Sequence, residues 1–424
     1  MDIPTPGRRF FPRAGIAPVL ALILAVLLSA PASAEWPQFR GPNRDGKAET
    51  EQDLLDEWPD GGPPQVWVND DLGRGFGSAS VTEDYIYTTG REGERGYIYA
   101  LDHDGTLRWK TEYGRAWTDS HPGTRCTPTV HDGRLYIMSG HALAGCFDAE
   151  TGEEVWTVDT QERFGARQIS WGITENVLVM DERAIFTPGG KDAGVVALDP
   201  ETGETQWVCG EIDDKSGYCS PILIRRGGMK FIVQLMATTM VGIEAETGRL
   251  LWQVERQPEP AYDIQAVPPV YEEGMLFVTS GDGGRREQMF RLSPDGTEVS
   301  RGWDGARLDV LHGGVILHEG RIYGASNDNY TGDWFCLDLR TGQLEARIRR
   351  AGRAGLAFAD GLLYGYGYRG RMMLIDPDPD SFRVISSFRI TKGSGPHWAH
   401  PSISGDRLYL RHGRYMFAFD IGAD

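Results

Sequence analysis

"ALDPETGETQW", residues 197–207, closes a strand-like run at Val195-Val196-Ala197-Leu198, turns through Thr202-Gly203 and opens a second strand at Trp207. This is a β-hairpin. A lone hairpin leaves a face and an edge uncovered, so its recurrence decides the architecture. Close copies are "CFDAETGEEVW" (146–156) and "GIEAETGRLLW" (242–252), with a shortened "ALDHDGTLRW" (100–109). Weaker copies are "RLSPDGTEV" (291–299), "CLDLRTGQLEA" (336–346), "LIDPDPDSFRV" (374–384) and a terminal "AFDI" (418–421). The anchors Asp102, Asp148, Asp199, Glu244, Ser293, Asp338, Asp376 and Asp420 make eight copies, 38 to 51 residues apart.

Each copy follows a second hairpin in which an apolar strand, an acidic or glycine turn and an aromatic-rich strand succeed one another, as in "TVHDGRLYIM" (129–138) and "ILHEGRIYGA" (316–325). Four strands per period of about 45 residues is the pattern of a propeller blade. The expected fold is all-β: an eight-bladed β-propeller of four-stranded antiparallel blades over residues 63–424. The last copy stops after Asp420, before its turn and outer strand, whereas "PPQVWVND" (63–70) is a strand without a hairpin partner. The strand around Trp67 therefore completes the final blade and removes the open edge of the ring. Trp67, Trp109, Trp156, Trp207 and Trp252 begin outer strands, where each ring can cover the glycine turn of a neighbouring blade for about 2–3 kcal/mol of burial. Blades five to seven have no Trp in register, and Ala346 occupies the expected position in the sixth.

With 40% hydrophobic residues, 55 Gly and 24 Pro, the chain can bury a large core and supply many tight turns. Arg8, Arg9 and Arg13, the apolar run from Ile16 to Leu28 and Ala32-Ser33-Ala34 read as an export signal over residues 1–34, leaving an N-terminal extension at 35–62. An uncleaved anchor fits less well, because the run is short for a membrane span and contains Pro18. Arg8-Arg9-Phe10-Phe11 hints at twin-arginine export. The expectation is an exported, periplasmic or secreted monomer without a transmembrane segment after cleavage. Losing three Arg and one Asp takes the net charge from −18 to −20, a surface that repels nucleic acid and anionic lipid. The five cysteines, 126, 146, 209, 219 and 336, contain no CxxC pair. At most two disulfides fit, with Cys209 and Cys219 nearest in sequence, and buried free thiols fit as well.

At the hairpin copies the chain resembles the PQQ-like β-propeller repeat family, whose blades carry Ala-x-Asp-x-x-Thr-Gly-x-x-x-Trp. "WPQFRGPNRDG" (36–46) is similar to the start of an exported bacterial branch of it. The resemblance implies one of two functions. One is a non-catalytic binding or scaffold protein of the BamB type; the other is a quinoprotein alcohol or sugar dehydrogenase that holds pyrroloquinoline quinone (PQQ) and calcium over the ring axis. The chain has no two adjacent cysteines, lacks the insertions that build a cofactor chamber, and shows no acidic and amide trio matching the calcium ligands. It also lacks the lipidated cysteine at which the scaffold class usually begins. No catalytic residue carries over. The scaffold reading is therefore the expectation, with no cofactor and no metal; PQQ and calcium belong only to the dehydrogenase alternative, in which Arg125, Arg307 and Asp309 would serve the cofactor's carboxylates and a metal.

In a propeller the blade-to-blade loops and the turns between second and third strands share one face. His121, His312, His397 and His400 fall in such loops and His141 and His412 in such turns, leaving His103, His131 and His318 opposite. The same loops carry Trp117, Asp119, Arg125, Arg167, Trp171, Tyr262, Asp263, Gln265, Arg307, Asp309 and Trp398. Convergent Trp, Arg and His suit a protein partner or small ligand, although the same residues could simply cap inner strands and line a wet channel. In "GPHWAHPS" (395–402), His397 and His400 lack a third metal ligand, which favours a structural role. "SNDNYTGD" (326–333) lacks the spacing of a calcium loop, and "SGDGGRRE" (280–287) lacks the Lys-Ser/Thr of a phosphate loop. GxSxG, HExxH and GxGxxG are absent, which removes the commonest hydrolase and nucleotide readings.

Overall fold

The computed structural model describes residues 1–2, 35–50, 52–256, 265–280, 287–327 and 332–423. The chain divides into Met1–Ala32 and Ser33–Asp424, and the fold is that of the second unit. The proposed export signal and the residues Tyr262 and Asp263 lie outside the described residues, as does most of 280–287.

Eight four-stranded antiparallel sheets follow one another along the chain. Blade 1 comprises Ser80–Val81, Ile86–Glu92, Arg95–Leu101 and Leu107–Arg115, and its strands pair in that order. Blades 2 to 7 repeat the pattern over 129–159, 178–209, 222–255, 270–304, 315–348 and 354–389. Blade 8 takes Ser402–Ser404, Arg407–His412 and Tyr415–Asp420, then Gln65–Asn69 as its outer strand, with Trp67 opposite Ala418. The ring is closed by its own N-terminal strand. First strands are largely buried and fourth strands alternate, as expected of inner and outer positions in a blade.

The opening hairpin shows how the blades join. Asp199 Oδ1 accepts the Thr202 N–H at 2.9 Å and the Thr202 hydroxyl at 3.1 Å, which locks the turn. Gly203 then adopts φ +70°, and a Cβ placed there would lie 2.8 Å from the Trp156 ring of the preceding blade. Only glycine lets the ring approach so closely. In the same way Trp67 covers Gly105, Trp109 covers Gly152 and Trp207 covers Gly248. At the fourth joint Phe231 faces Gly296, and Trp252 donates its indole N–H to Gly296 O at 3.2 Å.

The joints without a Trp in register are made in other ways. Blade 5 does dock through a tryptophan: Trp303, out of register, covers Gly342 and donates its indole N–H to Leu339 O at 2.9 Å. The bulge between third and fourth strands, which blade 3 has at Ala197/Leu198 just before its anchor Asp199, lies at Met289/Phe290 in blade 5, further ahead of the anchor Ser293. Blade 7 uses Phe388, which packs on Gly62 and edge-on to Trp58 at 5.2 Å, so the N-terminal extension supplies the turn that blade 8 lacks. At the sixth joint the Tyr323 hydroxyl donates to Pro377 O at 3.0 Å, and its ring packs on Phe382.

The rest of the extension fills the channel. Trp36 pairs with Val81 of blade 1, Pro37 O accepts from Val130 of blade 2, and Gly46 and Ala48 bond Phe358 of blade 7. Arg44 donates to Asn176 O (2.6 Å) and Val177 O (2.9 Å) beside the inner strand of blade 3, and Arg40 to Val315 O (2.5 Å) of blade 6. A segment touching the inner edges of five blades lies inside the ring. It satisfies strand-edge groups that a hollow channel would leave to water. All five cysteines are buried free thiols.

Candidate functional site

The loops of one face enclose a cavity of about 400 Å³. Its wall draws on the segments that lead into the inner strands of every blade except the seventh: Phe76 and Ser78; His121, Arg125 and Thr127; Trp171, Thr174 and Asn176; Tyr218 and Ser220; Ala266; Leu311 and His312; Trp398 and His400. Phe39, at the turn of the channel-filling segment, completes it, with its ring 4.9 Å from that of His400. The cavity therefore sits on the propeller axis.

Trp398 is the hub of the wall, with ring centroids of His121 at 4.8 Å, Phe76 at 5.1 Å and His312 at 5.1 Å. Trp171 and Tyr218 form a second pair at 6.2 Å. Among the described residues, Arg125 is the one permanently charged side chain of the wall, and Asp and Glu do not contribute to it. Its guanidinium donates to the carbonyls of Gly123, Ser120 and His121 and lies over the Phe76 and Trp117 rings. The loop is thereby held around the cation.

His400 and His312 are held neutral by their surroundings. Burial, helped by Arg40, pushes His400 down to about 3, while its Nε2 bonds His312 O at 2.7 Å. Burial, with Arg353, His121 and Arg125 nearby, pushes His312 down to about 4. Below the cavity, burial raises the Glu175 carboxyl to about 7, against the pull of its bond from the Thr187 N–H.

The fold thus brings His121, Arg125, Trp171, His312, Trp398 and His400 into one wall and sends the other predicted residues elsewhere. His397 points away from His400: its Nδ1 meets the Tyr366 hydroxyl at 2.6 Å and its ring stacks on His412 at 3.5 Å. Trp117 is buried behind the wall, donating to Ser120 O. Arg167 pairs with Asp213 and bonds Gly189 O. Gln265 is fully buried and donates to Met236 O. Asp119 and Arg307 are exposed outside the wall, and the Asp309 backbone carbonyl accepts from Asn327 N–H. Phe39, Phe76, Tyr218 and Asn176 went unrecognised in the sequence. The loop rule that picked out Trp171 could have found Phe76 and Tyr218, but Phe39 arrives from outside the repeats.

Calcium takes six to eight oxygen ligands, carboxylates prominent among them. This wall offers hydroxyls, an amide, imidazoles and a guanidinium, and among the described residues no three His, Cys, Asp or Glu side chains converge to hold a metal. The donor set of the described residues does not fit a calcium-held quinone.

Fold and cavity together define an eight-bladed propeller of PQQ-like repeats with an aromatic-walled axial site. The family model described as outer membrane protein assembly factor BamB matches residues 94–347, and the chain belongs to that family. It is 24% identical over 262 residues to BamB of Shewanella oneidensis, covering 56% of this chain and 60% of that protein. It is 31% identical over 150 residues to the quinohemoprotein alcohol dehydrogenase ADH-IIG of Pseudomonas putida, covering 32% of this chain and 20% of that one. The chain thus spans between one fifth and three fifths of these relatives' lengths. The crystal structure of quinohemoprotein alcohol dehydrogenase from Comamonas testosteroni superposes with a TM-score of 0.67 at 12% identity, covering 92% of this chain and 81% of that one, a likeness of fold.

Proposed function

We propose that this propeller is an exported, non-catalytic binding protein that takes up a protein partner or small ligand at its loop face, with the axial cavity as the anchor point. The observation that carries this reading is the cavity wall: among the described residues, aromatic rings from several blades converge around one cation, with no carboxylate among them. A volume of about 400 Å³ falls within the ~300–1,000 Å³ of small-molecule sites and also accommodates an inserted aromatic side chain. Membership of the BamB family supports a partner-binding role.

His121 is exposed at the cavity rim and Arg340 is exposed in a turn of the opposite face. A photo-crosslinker at position 121 should trap a partner in the cell envelope that the same group at position 340 does not. Equal capture from both positions refutes the loop-face reading. The dehydrogenase alternative rests on the match to ADH-IIG. Saturable dye reduction with alcohols or sugars after reconstitution with PQQ and calcium would establish it and overturn the non-catalytic reading.

A further inference from the structure

A second cavity, of about 380 Å³, lies at the seam between blades 8 and 1 and shares no lining residue with the axial one. Its wall is charged: Arg74, Arg91, Lys110 and Arg414 against Asp71 and Glu92. Both acids are already engaged. Glu92 binds Lys110 at 2.9 Å and accepts the Tyr99 hydroxyl at 2.7 Å, and Asp71 lies 3.4 Å from Arg414. Arg74 and Arg91 remain. Neither guanidinium has a hydrogen-bond or ion-pair partner in the described residues, and the Nε of each is buried without an acceptor.

The backbone holds these two arginines opposite each other. Arg74 N–H donates to Arg91 O and Arg91 N–H to Arg74 O, both at 2.9 Å, in an isolated antiparallel bridge. Directly opposed residues of such a bridge project to the same side, where like charges repel. The loop cannot relax to separate them: buried Arg411 donates to Leu72 O and Gly73 O, and a Cβ at Gly90 would sit 1.7 Å from Leu72 O. A chain with a net charge of −18 thus fixes two unmatched guanidiniums side by side in a concave wall.

We propose that this cavity binds a phosphate-monoester dianion, with Arg74 and Arg91 as its paired ligands. Two negative charges neutralise the two unmatched cations, and a tetrahedral group offers each planar guanidinium its own oxygens. The cavity volume falls in the small-molecule range, so there is room for the ester's organic part.

The test is calorimetric titration of the full chain in phosphate-free, low-salt buffer with glycerol 3-phosphate, inorganic phosphate and malonate. Saturable binding of the phosphates should weaken roughly tenfold or more in Arg74→Gln and in Arg91→Gln, as expected for loss of a charged hydrogen bond. Arg340→Gln should leave it unchanged. A tighter ester than inorganic phosphate names an organic ligand, and equal affinity names the phosphate group itself. Malonate binding as tightly as phosphate, no binding at millimolar concentration, or unaltered binding in both Arg variants overturns the assignment. Melting adds an independent readout: without anion the Gln variants should melt no lower than the wild type. A marked drop would show the arginines to be structural and would also overturn it.

Discussion

Replacing Gly203 by Ala tests whether the tryptophan–glycine joint, rather than the turn alone, holds neighbouring blades together. Gly203 has φ +70° and its added Cβ would lie 2.8 Å and 3.0 Å from two atoms of the Trp156 ring. Gly133 has nearly the same φ, +73°, and nothing within 4 Å of its added Cβ. Gly133→Ala therefore isolates the backbone cost. A left-handed L-residue costs about 1–2 kcal/mol, offset by about 0.4–1 kcal/mol from a less flexible unfolded chain, which leaves roughly 0–1.6 kcal/mol. Gly203→Ala adds overpacking against a ring that is itself 8% exposed, for about 1–3 kcal/mol more. Urea denaturation of the two variants should differ by that increment. In a Trp156→Ala background the clash is gone, so Gly203→Ala should cost no more than Gly133→Ala, giving a coupling of about 1–3 kcal/mol in the cycle. Equal costs for Gly203→Ala and Gly133→Ala, or a Gly203→Ala cost that persists without Trp156, would refute the joint.

Trp303→Ala should destabilise by about 2–4 kcal/mol, comparable with Trp252→Ala despite the shift of register, and a loss below about 0.5 kcal/mol in the same assay would contradict its docking on Gly342. Arg44→Ala strips donors from Asn176 O and Val177 O and leaves Glu175 without its nearby cation; a loss of about 3 kcal/mol is expected, and Arg44→Lys should not restore it because one ammonium cannot reproduce the fork. His400 is held at about 3, well below its unfolded value near 6.5, so its contribution is intact above 6.5 and is lost as pH falls toward 3. By pH 5 the loss is about 2 kcal/mol, and His400→Gln should flatten the stability profile between pH 6.5 and 5. An unchanged slope in chemical denaturation would show that another group carries it.

The eight repeats, the blade pattern and the closing strand at Trp67 were legible in the sequence because hairpin turns and strand alternation are local. Asp199, Thr202 and Gly203 settle their turn among themselves, and the ring of Trp207 follows at fixed spacing. Trp303 and Phe388 escaped because their partners, Gly342 and Gly62, are chosen by distance in space. A displaced bulge in blade 5 and a turn contributed by the extension change the spacing that the motif requires.

The candidate site divides along the same line. That His121, Arg125, Trp171, His312, Trp398 and His400 belong to one face followed from loop position alone. Which of the predicted residues turn inward did not, because each side chain's direction is set by contacts between segments far apart in the chain. His397 is drawn off by Tyr366 and His412, while His400, three residues on, is caught by the His312 carbonyl. The sequence by itself determined a closed ring of eight blades and the face on which the polar and aromatic loops gather. Only the tertiary structure decided that residues 36–48 fill the channel, that Phe39 completes the cavity, and that Arg74 meets Arg91 across a bridge, because these contacts join parts of the chain that no local period relates.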